Sequence, residues 1–223
     1  MQSAILFNER KEDINKYLDF LLDSINNKTI SNEISHIMKA NGYLMLYNLI
    51  ESTFTEIIND IHTALKNERN LNIDKLKPSL AKKACSLTDR EYLKSYGKDG
   101  YRNINSVIFN SWLNNYEKLV SNEKNPLFSG NIDGKIIREI GDIYGFNHKT
   151  LDREDNAMYV ILGIKKARNS LAHGKESFLS HGKQKSIDSL KKEKELTINY
   201  LEELLNEIAK YIKNKLYLKT QSR

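Results

Sequence analysis

The chain has 223 residues, 39% of them hydrophobic and 29% charged, with only two prolines and ten glycines. That length allows one substantial core or two small ones, and the composition suits a soluble helical protein better than a disordered one. Lys and Arg exceed Asp and Glu by six, a mild pull towards polyanions such as nucleic acid or acidic proteins.

No apolar run is long enough to span a bilayer, so no membrane partner is expected. The opening MQSAILFNERKED lacks the charged-then-apolar pattern of a signal peptide. A single cysteine, Cys85, reads as a small buried hydrophobe and rules out an internal disulfide. The expected setting is the reducing cytoplasm.

In chain order, Asn8 is a candidate cap for a first helix, in which Ile14, Leu18, Leu21 and Ile25 recur at helical spacing. Ser31 opens a long second helix to about Lys66, with Ile34, Ile37, Leu44, Tyr47, Phe54, Ile58 and Ile61 as its apolar positions. Gly42 interrupts it and allows close packing or a bend. Short helices are expected over 78–86 and 89–96, a turn at 97–100, a helix over 104–119 and a loop over 121–133. Asp133 then caps a helix carrying Ile136, Ile137, Ile140 and Ile143, which Gly145 closes.

From about Asp152 a further helix runs through Met158, Ile161, Leu162 and Ile164 towards Gly174, and a last long one starts near Ser186. No stretch alternates at period two. The expected architecture is all-α: a single domain over 1–223, an antiparallel helical bundle with residues 70–130 as an irregular insertion.

The richest chemistry lies in KKARNSLAHGKES, residues 165–177. On a helix, Asn169 and His173 share a face, and the long Arg168 side chain can bend round to the same patch. Metal-free RNA cleavage needs a base for the ribose 2′-hydroxyl, an acid for the leaving 5′-oxygen and a cation for the phosphorus oxyanion. An imidazole titrates in the useful range, a guanidinium fork matches phosphate oxygens, and an amide can orient either. One copy supplies one histidine, so a twofold dimer would supply two. Spacing alone leaves a second reading open, because Arg and His near a helix C-terminus, followed by glycine, also satisfy the helix end.

IKKARNSLAHGKESF resembles the signature of the HEPN superfamily, higher eukaryotes and prokaryotes nucleotide-binding domains. LMLYNLIEST (44–53) and LFSGNIDGKIIREIGDIYGF (127–146) resemble its bacterial toxin and phage-defence branch, the RiboL-PSP- and MAE-like HEPN proteins. The resemblance implies a dimeric helical bundle acting as a metal-independent endoribonuclease without cofactors, leaving 2′,3′-cyclic phosphate and 5′-hydroxyl ends. It assigns catalysis to Arg168, Asn169 and His173. Some HEPN toxins carry a nucleotidyltransferase-modified tyrosine where Lys175 stands, so that control is not expected here. Gly182-Lys183 stands where the branch often has Gly-Arg, keeping the charge but losing the fork.

Supporting or substrate-binding roles fall to Glu51, Asn48, Ser170 and Lys175. A carboxylate at Glu51, among Tyr47, Phe54 and Ile58, is costly unless paired: it either reaches Arg168 or supports the motif helix, or it sits at the edge of that face and reaches solvent. Asn48, near the same face, could join that network or serve as a core amide bonded to backbone. Residues 130–135 depart from a phosphate-binding loop in spacing and lack its hydroxyl, so Asp133 reads as a cap beside the groove. Tyr92 with Tyr96, and Tyr101 with Arg102, could stack bases, although aromatic residues at helical spacing more often serve packing. His36, His62, His148 and His181 show no zinc spacing, and no metal site is expected. The expected partners are RNA, a second copy, and a cognate antitoxin or defence protein. The alternative is a catalytically inactive HEPN module that binds RNA, a nucleotide or a protein.

Overall fold

A computed structural model describes residues 1–87, 110, 112–113, 131–148 and 157–219. The helix expected over 89–96, the turn at 97–100, Tyr92, Tyr96, Tyr101, Arg102 and the Cys85 side chain lie outside these residues. So do most of the helix expected over 104–119 and most of the 121–133 loop.

Seven α-helices are described: α1 (Gln2–Asn26), α2 (Asn32–Asn67), α3 (Pro78–Leu87), α4 (Gly134–Tyr144), α5 (Ala157–Ala172), α6 (Phe178–Lys183) and α7 (Ile187–Lys213). A 3-10 turn spans Ile73–Lys75, and an isolated antiparallel bridge joins Leu76 to Leu218. The all-α architecture is as expected.

Local caps explain several boundaries. The hydroxyls of Ser31 and Ser186 and the carboxylate of Asp133 each accept a backbone N–H three residues on. Gly145 closes α4 in the left-handed region. α1 departs from expectation: it begins at Gln2, and Asn8 lies inside it. Its cap comes from across the bundle, where the Asp60 carboxylate accepts the N–H groups of Gln2 and Ser3 at 3.0 Å each and the Ser3 hydroxyl at 2.5 Å. Those bonds satisfy free N–H groups that no neighbouring side chain serves.

α2, 36 residues long, is the central post. α1 runs antiparallel to it, pinned by Asp60 and by the Tyr17 hydroxyl donating to the Met38 carbonyl. α5, α6 and α7 pack on its other sides. Leu46, Leu49, Ile50, Phe54, Ile57, Ile58 and Ile61 are fully buried along it. Ile34 and Ile37 are exposed instead, at 49% and 44%. The 100° step per residue carries them onto the outward stripe that also holds Asn48. A Cβ on Gly42 would sit 2.8 Å from Leu190 Cδ2, so this glycine serves close packing with α7.

α6 is a six-residue helix that the apolar pattern does not announce. Its Gly182 lies directly against the α2 backbone, where a Cβ would collide with the His36 carbonyl oxygen. The His181 ring meets Tyr43 edge-on at 5.2 Å. This contact fixes the chain immediately after the Arg-Asn-His motif.

Candidate functional site

α5 carries the motif in its last two turns. The helix ends at Ala172, and the His173 N–H still donates to the Asn169 carbonyl at 3.1 Å. Gly174 then takes φ +65°, the left-handed conformation that reverses the chain. The Lys175 N–H returns to the Ser170 carbonyl at 2.9 Å, satisfying one of the free carbonyls of the helix end. Beyond the reversal, the Glu176 carboxylate binds His181 Nδ1 at 2.9 Å and Gln184 Nε2 at 2.8 Å. The loop bearing His173 is thus held on both sides.

Arg168 is set by three groups. Its Nη1 donates to Asn169 Oδ1 at 2.9 Å, and its Nη2 lies 3.5 Å from Glu51 Oε2. The guanidinium carbon stands 4.3 Å from the centre of the Tyr47 ring, a cation–π contact. Asn169 Nδ2 in turn donates to Asn131 Oδ1 at 2.9 Å. Arg168 and Glu51 retain side-chain exposures of 26% and 27%, so the pair is open to an incoming anion.

The electrostatics follow from partial burial. Desolvation raises the Glu51 carboxyl above its ordinary pKa, opposed by the Arg168 charge and by a hydrogen bond from the Tyr47 hydroxyl. Burial, then the Glu51 charge, pushes Tyr47 up to about 12, so its hydroxyl stays protonated. That hydroxyl also accepts the Ile132 N–H at 3.0 Å. Asp133, the cap of α4, binds Lys165 Nζ at 2.6 Å. Burial would raise its carboxyl, but the Lys165 bond and the N–H groups of α4 outweigh it and hold the pKa below the ordinary value.

His173 is exposed, and among the described residues its ring has no hydrogen-bond partner. Ser170 is half-buried and Lys175 exposed beside it. The structure therefore brings Glu51, Arg168 and Asn169 into one bonded network, with His173 one turn beyond. Asn48 is not in that network. It lies in the groove between α1 and α2 with Arg10 and Met45, because its helix position points about 100° away from Tyr47. No group of metal-ligating side chains occurs among the described residues.

Sequence reasoning missed Asn131 and the aromatic seat of Tyr47. Asn131 is 38 residues from its partner, in a stretch without periodic signal. Tyr47 precedes Glu51 by one turn, and that spacing was available, but its ring read as core.

A family model described as HEPN_MAE_28990-like HEPN matches residues 3–217 of the chain. No curated protein and no solved structure matches it. Among the described residues, no helix is long and apolar enough to cross a membrane.

Proposed function

The chain belongs to the HEPN_MAE_28990-like HEPN family, and on that premise we propose that it is a metal-independent endoribonuclease. The observation that carries this reading is an unengaged, solvent-facing His173 one helical turn past Asn169, which is bonded to an arginine also held by Glu51 and Tyr47. An imidazole so placed is free to exchange protons, and a guanidinium so placed has lost little freedom when phosphate arrives.

The ribose 2′-oxygen attacks the adjacent phosphorus, and the bond from phosphorus to the 5′-oxygen breaks. One imidazole takes the 2′-hydroxyl proton, and another gives a proton to the departing 5′-oxygen. Arg168 carries the charge gathered on the phosphoryl oxygens. Asn169, bonded to Arg168 through one amide atom and to Asn131 through the other, orients the arginine and borders the substrate. Glu51, Tyr47 and Asn131 are positioning residues. Ser170 and Lys175 flank the phosphate path.

Each copy has one His173, so the second imidazole comes from a second copy across a twofold axis. The proposal includes a cytoplasmic homodimer that serves as a toxin or antiviral effector, restrained by a neighbouring protein.

A second reading is a silent module that binds RNA, a nucleotide or a protein. It is favoured by the same contacts on Arg168, which satisfy the guanidinium without any ligand. Purified protein with a chelator, given an RNA and its all-DNA counterpart, separates the two. The nuclease reading predicts that RNA alone is cut, since DNA has no 2′ nucleophile, and that Arg168→Ala suppresses it. Binding without cutting selects the silent module.

A further inference from the structure

Beyond the motif, α5 and α4 enclose a groove of about 490 Å³, lined by Asp133, Lys135, Arg138, Met158, Tyr159 and Leu162. A volume in this range takes a small planar ligand such as a nucleobase. Its floor is apolar, from Met158 and Leu162. Its rim carries Lys135, exposed and 3.7 Å from Glu139, and Arg138. Tyr159 stands on it 75% exposed, an aromatic ring that core packing does not account for.

The groove shares one face of α5 with Asn169 and His173, while Arg168 projects from the flank of that face towards Glu51 and Tyr47. Met158, Leu162, Lys165, Asn169 and His173 follow each other at three- and four-residue steps, which stack side chains along one side of a helix. At about 1.5 Å per residue, His173 stands ~16 Å from Leu162, a reach of a few nucleotides. Residues 131–133 border the whole path: Asn131 holds Asn169, Ile132 holds Tyr47, and Asp133 is neutralised by Lys165. Lys166, exposed, adds positive charge between groove and motif.

We infer that this groove is a nucleobase subsite for single-stranded RNA, seating an unpaired base a few nucleotides from the scissile phosphate. The base stacks on Tyr159 above Leu162 and Met158, and Lys135 exchanges its exposed contact with Glu139 for a flanking phosphate. A paired base cannot enter, so the subsite selects single-stranded over duplex RNA. The inference rests on the proposed function in placing RNA at His173.

Fluorescence anisotropy with a short single-stranded 2′-O-methyl RNA reads binding without chemistry, because its 2′-oxygens are capped. Tyr159→Ala is expected to weaken binding about tenfold, whereas Tyr159→Phe, which keeps the ring, leaves it nearly unchanged. Lys135→Ala is expected to flatten the slope of log affinity against log salt by about 0.7. Binding of the duplex form should be indifferent to Tyr159→Ala. Equal affinity of wild type and Tyr159→Ala for the single strand, equal losses in the Ala and Phe variants, or no binding at all overturns the subsite. So does a Tyr159 dependence seen only for an extended peptide. Tyr159-dependent binding by a protein that never cuts RNA defeats the nuclease reading and leaves the subsite standing. Cutting that needs His173, with affinity blind to Tyr159, defeats the subsite alone.

Discussion

His62 lies in the core, its Nε2 2.6 Å from the Tyr144 hydroxyl and its ring edge-on to Trp112 at 4.7 Å. Burial first, and the Lys66 charge second, hold its pKa down at about 3. The unfolded chain takes up a proton here near pH 6.5 that the folded chain refuses. This contribution to stability is complete above about pH 6.5 and falls by ~1.4 kcal/mol per pH unit as the pH drops towards about 3. Urea unfolding between pH 7 and 5 should show that decline in the wild type and a flatter profile in His62→Gln; parallel profiles would refute it. At the site, Glu51→Gln removes the charge that faces Arg168. The expected fall in kcat is about 10- to 100-fold, the cost of a misplaced group, with native helical content by circular dichroism. An unchanged kcat would show that Glu51 does not position the arginine.

Among elements, α6 is the most demanding contact. Gly182→Ala puts a methyl group on the His36 carbonyl, and the resulting overpacking should cost about 2 kcal/mol in denaturant unfolding. Asp60→Ala leaves the N–H groups of Gln2 and Ser3 without their acceptor. The expected loss is about 1–2 kcal/mol, with faster hydrogen exchange confined to the first turns of α1. What was legible in the sequence divides along this line. Ser31, Asp133 and Ser186 cap the helices they precede, a signal written within three residues. The start of α1 was not legible, because its cap comes from Asp60. A six-residue α6 is too short for a periodic pattern, and Ile34 and Ile37 fit the apolar template while pointing to solvent.

At the scale of the whole molecule, the bundle gathers α2, α5 and residues 131–133 at one place, joining positions that lie far apart in the chain. Arg168, Asn169 and His173 could be singled out because the motif is local. The Glu51–Arg168 pair could be anticipated because a carboxylate among apolar side chains needs a partner. The seat provided by Asn131 needed the fold. If two copies each lend an imidazole, sedimentation should give a dimer. Excess His173→Ala protein should then lower the activity of added wild type by drawing its copies into mixed dimers. Activity that stays proportional to wild-type protein alone would point to a site complete within one chain.

The most direct test is mass spectrometry of the ends left on RNA incubated with chelator and either wild-type protein or His173→Ala. A metal-free cut by an imidazole predicts 2′,3′-cyclic phosphate and 5′-hydroxyl ends from the wild type and no products from the variant. Ends bearing a 5′-phosphate, or undiminished cutting by His173→Ala, would contradict it.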